Sequence, residues 1–353
     1  MLCLVGPGAG QVQRTNSRRE KFTQVASAQR TIFVDMVPFR VEPRFVGRVW
    51  GWKDLRPWYD RIAEGEPIGE VWLTGDECQI ATGPYSGKTL GEIFNEVPQT
   101  MLGPDATSSD SPLLIKVIFA REKLSVQVHP DDRLAQKYGQ PRGKTECWYA
   151  LAAEPGAQVA AGLKAGVTMD EVRAGIDGGT LEKSLKMLPV QAGDMILVDA
   201  GTVHAIWPGS ILLESQQNSD LTYRMYDYGR GRELHIEKSL EAARLRTKAG
   251  KVAPRVLKDR TVLVESQYFC VEKIPVDVSR SSVSLRQEEE SPGLAYLFAA
   301  EGSGRLASPS FASVDLPTRG IVAVPAASPV FAVEDMGNLD LIRISPRQPG
   351  TAA

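Results

Sequence analysis

Gly193-Asp-Met-Ile-Leu-Val-Asp-Ala-Gly-Thr-Val-His204 joins an apolar β-type run, a turn signal and one of only three histidines in the 353-residue chain. Met195 to Val198 reads as a strand, and Ala200-Gly-Thr as a turn that hands the chain on to His204. A second histidine closes a similar run, Leu124-Ser-Val-Gln-Val-His129. Side chains alternate along an extended backbone, so Ser125, Gln127 and His129 share one face while Leu124, Val126 and Val128 share the other. A solvated outer face would more often carry Lys, Glu or Thr. Lys144-Thr-Glu-Cys-Trp-Tyr149 repeats the arrangement, with Lys144 and Glu146 on a common face. Two imidazoles, a carboxylate and a carboxamide brought together form a mixed N/O site for a divalent metal, with room for substrate or water.

The chain around these runs is of ordinary globular composition, 42% hydrophobic and 24% charged, and its length suits two domains or one elaborated double barrel. A net charge of −2 gives no electrostatic case for nucleic acid. Cys3, Cys78, Cys147 and Cys270 are scattered without a CxxC pair, which points to reduced thiols in a cytoplasmic protein. No apolar run is long enough to cross a bilayer, so no membrane partner is expected. Residues 1–35 are rich in Gly, Gln, Ser and Arg with little periodicity, and a disordered N-terminal extension is expected there.

Short strands and tryptophans (Trp50, Trp52, Trp72) follow from Met36, then strands over Leu113–Ala120 and Thr145–Leu151 with a short helix from Asp131 to Tyr138 between them. A helical insert occupies about 165–188. Thr168-Met-Asp-Glu171 is a capping box, and Thr180 is expected to cap a second helix ending before Pro189. Strands return at Met195–Val198, Ile211–Glu214 and Thr222–Tyr226, and a helix from about Glu233 to Leu245 closes the first half. The histidine-free remainder alternates short β runs with Gly, Pro and Ser turns. The expected organisation is mostly β: a domain over 36–250 and a second β domain over 255–353.

The segment from Gly193 to His204 resembles the second motif of the cupin barrels, with Asp199 where that motif usually has Pro. Val324-Pro-Ala-Ala-Ser-Pro-Val330 is similar to the same hairpin with Val330 in the ligand place, which implies two jelly-roll-like barrels, the second without metal. Leu113-Leu-Ile-Lys116, Leu124 to Asp132, Gly143-Lys-Thr-Glu146, Ala200 to Ala205, Glu214 to Tyr228 and Arg232 to Lys238 together resemble type I mannose-6-phosphate isomerase in its short bacterial form. The resemblance implies one zinc ion per chain on Gln127, His129, Glu146 and His204. It also implies substrate contacts from Ser125, Lys116, Lys144, Glu214 and Arg224. Longer relatives have a His before the Lys of the third motif. That place is Gly143 here, so no role of that His carries over.

The implied reaction interconverts mannose 6-phosphate and fructose 6-phosphate through an enediol, in a monomer or homodimer. Glu214 is the first candidate for the base and Lys144 the second, while the planar fork of Arg224 suits an enediolate or a phosphate. From the residues alone, Glu214 and Arg224 could equally be a structural ion pair, and Lys116 a snorkelling edge residue. His235 reads as structural. Two other classes compete: an Fe(II) cupin oxygenase, and a non-catalytic sugar-phosphate-binding protein. A fourth protein ligand, Gln127, speaks against the first, and the presence of both Glu214 and Arg224 against the second.

Overall fold

The computed structural model describes residues 36–106, 108–276 and 293–347, with the backbone of 283–284. The expected N-terminal extension, residues 1–35, lies outside them. Strands predominate, and among the described residues the longest α-helix is Met169–Asp177, of nine residues. No helix of the described residues is long and apolar enough to cross a membrane.

Among the described residues the strands form four sheets. A central seven-stranded sheet runs, from edge to edge, Gly250–Lys251, Met195–Val198, Glu146–Ala153, Ser210–Gln217, Leu113–Phe119, Ile68–Trp72 and Arg44–Trp52. A five-stranded sheet holds Tyr223–Tyr226, Val126–Val128, His204–Ile206, Gln158–Leu163 and Leu185–Pro189. The C-terminal half supplies a second seven-stranded sheet and a four-stranded one. Phe39–Val41 joins that half by pairing with Ile321–Val324, although the sequence places it with the first half.

Alternation along single strands decides which layer each residue meets. In Leu113–Phe119, the side chains of Leu113, Ile115, Val117 and Phe119 enter a core shared with Tyr296, Phe298 and Ile344 of the C-terminal sheet. Ile118, with Trp148 and Leu212, faces the opposite core against Val159 and Ile206 of the five-stranded sheet. Lys116 lies on that second face, which is how an ammonium sits inside Leu-Leu-Ile-Lys-Val-Ile-Phe without entering the larger core. Burial of each large apolar side chain contributes roughly 1.5–3 kcal/mol, and these two cores offset the cost of enclosing the charges between the sheets.

The capping box at Thr168 and Glu171 forms as read. The second helix of the insert does not: Leu181–Ser184 is a single 3₁₀ turn without a side-chain cap at Thr180, and Leu185–Pro189 is a strand paired with Gln158–Leu163. Burial of Leu185 against the five-stranded sheet overrides the weak helical signal of the short stretch between Thr180 and Pro189. Val330 is exposed. The neighbouring Phe331 is buried instead.

Gly69 allows part of the site to be built. The register between Arg44–Trp52 and Ile68–Trp72 slips between Gly47 and Trp52, and the excursion carries Arg48 and Trp50 over Gly69. A Cβ on Gly69 would lie 2.5 Å from Arg48 Cβ and 2.6 Å from Trp50 Cζ3. Gly69→Ala is therefore predicted to displace both side chains and cost about 1–3 kcal/mol, read as a lowered Tm in thermal denaturation. An unchanged melting curve would contradict this account of the bulge.

Candidate metal centre and active site

Three neighbouring strands of the five-stranded sheet set out one wall of the site in register, Arg224 opposite Gln127 and Gln127 opposite His204. The central sheet supplies the other wall, with Glu146 opposite Gln216 and Glu214 opposite both Lys116 and Trp148. Between them, ligand atoms of His129, Glu146 and His204 all lie within 4.8 Å of one another, and all three residues are buried. His129 Nε2 stands 3.4 Å from Glu146 Oε2, and His204 Nε2 stands 3.4 Å from Glu146 Oε1.

The hydrogen bonds on the far side of each ring fix what those atoms are. His129 Nδ1 is 2.8 Å from the Leu221 carbonyl, and His204 Nδ1 is 2.8 Å from the Thr202 carbonyl. A carbonyl only accepts, so both Nδ1 atoms carry the proton and both Nε2 atoms turn a lone pair toward the carboxylate. Burial, then the Lys144 charge, hold the His129 pKa down to about 3, and burial also lowers that of His204, so both rings stay neutral. Burial alone would raise the Glu146 pKa. The Lys144 ammonium, 3.1 Å away, instead keeps it well below the ordinary carboxylate range. Two lone pairs aimed at a carboxylate repel, and His129 Nε2 and Glu146 Oε2 have no hydrogen-bond partner among the described residues. This donor set fits a divalent cation. Gln127 Nε2 meets His204 Nε2 at 3.2 Å, while its Oε1 accepts from Ser125 Oγ at 3.3 Å. A half-turn of the amide would present its oxygen to the same point.

A row of alternating charge leads away from this centre. Lys144 Nζ lies 3.7 Å from Glu214 Oε1, which is 3.2 Å from Lys116 Nζ. Lys116 continues to Glu70 at 3.1 Å, and Glu70 to Arg48 at 2.7 Å. Burial and the Glu146 charge push the Glu214 pKa up to about 7, against the two lysines. Burial would lower the Lys116 pKa, but Glu214 and Glu70 hold it above its ordinary value. The Glu70 carboxyl has burial working against it and is still held near about 2 by Lys116 and Arg48.

The row lines a cavity of about 330 Å³ that also meets Ser125, Gln127, His204, Trp50, Trp148 and Arg224. Lys116 is thus an enclosed cavity residue and not a snorkelling one. Among the described residues Glu214 and Arg224 form no ion pair with each other. Arg224 Nη1 donates to the Glu233 carbonyl at 2.8 Å, its Nε has no hydrogen-bond partner, and burial and nearby Arg232 lower its pKa. His235 exchanges backbone and ring hydrogen bonds with Arg224, supporting the strand rather than lining the cavity. Arg48, Glu70 and Arg232 escaped the sequence reading. Glu70 carries the one usable signal, an acidic residue inside the run Ile68–Trp72.

The profile of phosphomannose isomerase type I, catalytic domain, matches residues 48–160. The mannose-6-phosphate isomerase of Streptococcus mutans is 35% identical over 283 residues, spanning 76% of this chain and 86% of its own. A probable mannose-6-phosphate isomerase of Bacillus subtilis is 36% identical over 251 residues, 67% of this chain and 79% of its own. The crystal structure of a mannose 6-phosphate isomerase from Bacillus subtilis superposes with a TM-score of 0.77 at 31% identity, covering 88% of this chain and 99% of that one.

The chain belongs to the type I phosphomannose isomerase family. Within this phosphomannose isomerase fold, Gly143 is a residue of necessity. A Cβ there would lie 2.5 Å from both Pro130 O and Asp131 C, backbone atoms that cannot move aside cheaply. Gly143→Ala, and more so Gly143→His, is therefore predicted to push the Lys144–Glu146 segment away from His129 and weaken metal retention. The check is zinc content after dialysis, and full retention in the alanine variant would refute the prediction.

Proposed function

We propose that this chain is a zinc-dependent mannose-6-phosphate isomerase that interconverts mannose 6-phosphate and fructose 6-phosphate through an enediol. The observation that carries the reading is the neutral pair of imidazoles turned on Glu146 beside a buried Glu214, in a chain of this family. His129, His204, Glu146 and Gln127 would hold one zinc ion per chain. Bound there, the metal would supply Lewis-acid polarisation of a sugar oxygen at C1 or C2. We take the two sheet pairs as two cupin-type barrels, with 36–250 catalytic and 255–353 a metal-free β domain.

Glu214 is assigned as the base that takes the proton from C2 and returns it to C1. Its buried position and raised pKa suit a group that must both accept and give back a proton near neutrality. Lys144 and Lys116 flank Glu214 and orient it by charge, and Lys144 is the second candidate for the base. Arg224, with an Nε free of partners among the described residues, offers a fork to the substrate's oxyanions, and Ser125 adds a hydroxyl at the cavity wall.

Incubation with mannose 6-phosphate in a coupled assay should yield fructose 6-phosphate, and a chelator should abolish the activity. His204→Ala is expected to remove zinc and activity together, and a metal-free protein with full activity would overturn the reading. Arg224→Lys keeps the charge and loses the fork. It should lower kcat/KM by about 10²-fold or more while zinc content stays normal. Unphosphorylated mannose should show both a raised KM and a lowered kcat, because phosphate binding helps to position C1 and C2. Equal turnover of free and phosphorylated mannose would sink the phosphosugar assignment.

A further inference from the structure

Residues 143–145, which lead into Glu146, are buried and belong to no strand, so their backbone N–H groups need partners that no ladder supplies. All three find them in nearby segments. Gly143 N donates to Asp132 Oδ1 at 2.8 Å, and Lys144 N donates to the Pro130 carbonyl at 3.0 Å. Thr145 N donates to Gln217 Oε1 at 2.9 Å. Gln217 is itself anchored, since its Nε2 donates to Asp132 Oδ1 at 2.9 Å. Asp132 therefore holds one end of the segment directly and the other through Gln217. Its remaining oxygen, Oδ2, accepts from Tyr268 Oη at 2.8 Å.

Tyr268 comes from the C-terminal half, in the turn before the strand Phe269–Ile274. That turn is braced locally: Ser266 Oγ accepts from Tyr268 N at 3.2 Å and from Phe269 N at 3.1 Å, and Arg347 N donates to the Tyr268 carbonyl at 2.9 Å. Three segments that carry candidate functional residues converge on one carboxylate. Asp132 follows His129, Gly143 precedes Lys144 and Glu146, and Gln217 follows Glu214 in the same strand.

We propose that Asp132 and Tyr268 are positioning residues, through which the C-terminal half holds Lys144 and Glu146 in register with His129 and Glu214. Neither touches the reacting atoms. The half that carries no candidate metal ligand then contributes to catalysis by fixing an irregular segment in the other half. This extends the isomerase reading above, but its effect on metal affinity is independent of which substrate the protein takes.

Tyr268→Phe removes one hydroxyl from a half-buried ring and leaves its packing. Zinc affinity, measured on the full chain by competition with a chromophoric chelator, is expected to fall about tenfold, with a comparable fall in kcat and little change in KM. Asp132→Ala, which orphans Gly143 N and Gln217 Nε2, should lose more of both. Asp132→Asn retains an acceptor for those two donors and an amide that can donate to Tyr268 Oη, so it should recover most of the loss. The proposal is overturned if Tyr268→Phe leaves zinc affinity and kcat within about twofold of the parent, or lowers only the Tm. It is overturned equally if Asp132→Asn is as impaired as Asp132→Ala. A loss of zinc affinity without any isomerase activity in the parent would sustain the positioning role and reject the isomerase reading. Should Asp132→Ala fail to fold, the tyrosine and asparagine variants decide the matter.

Discussion

Two imidazole lone pairs turned on one buried carboxylate cannot be left uncompensated, and much of the surrounding structure answers to that constraint. Taking a single ion out of water costs several kcal/mol even after the protein relaxes. Glu146 is accordingly met by Lys144, Lys144 by Glu214, Glu214 by Lys116, and the alternation ends only at Arg48, on the edge strand of the central sheet. Each charge is tolerable because its neighbour has the opposite sign. A substitution in the middle of the row takes one of its partners from the buried charge on each side, so effects along it will be larger than the sum of exposed ion pairs suggests. The carbonyls of Leu221 and Thr202 play a similar part for the rings, since by taking the Nδ1 protons they decide which way the lone pairs point.

A sheet provides this row at little conformational cost. Residues opposite one another on adjacent strands share a face, so one residue per strand suffices to run a line of charge across Ile68–Trp72, Leu113–Phe119, Ser210–Gln217 and Glu146–Ala153. The reverse face of the same strands is apolar and packs on the C-terminal half. Rigidity on one face is thereby transmitted to the geometry of the other.

Much of this was visible in the sequence because it follows a period of two. Gln127 and His129 read as ligand candidates from alternation in one short run, and Lys116 was conspicuous as an ammonium in an otherwise apolar strand. The mostly β character, the helix after Asp131 and the capping box at Thr168 were equally local signals. What escaped depends on long-range geometry. Arg48 reaches the cavity through a register slip that no local pattern announces, and Arg232 through a turn held by its own pair with Asp227. Tyr268 lies 136 residues from the carboxylate it binds. The stretch from Thr180 to Pro189 was misread because so short a run carries too little periodicity to separate a helix from a turn leading into a strand.

The same row bears on where a phosphate could sit. Lys116 and Lys144 are natural suspects by charge, yet each ammonium already lies between two carboxylates, 3.1 Å from Glu70 and 3.2 Å from Glu214 in the first case, 3.1 Å from Glu146 and 3.7 Å from Glu214 in the second. A dianion brought to either lysine would face those carboxylates as well, and repulsion at such distances offsets much of the attraction. Among the described residues Arg224 has no carboxylate in contact and keeps its Nε without a partner, and it lies on the opposite wall of the cavity from the charged row. Its pKa is lowered by burial and by Arg232, so an arriving anion would relieve an existing strain in the charge distribution rather than compete with one already balanced. On the proposed isomerase reading, the lysines would then serve the chemistry at C1 and C2, where charge would appear and disappear during turnover, and the arginine wall the group that stays charged throughout.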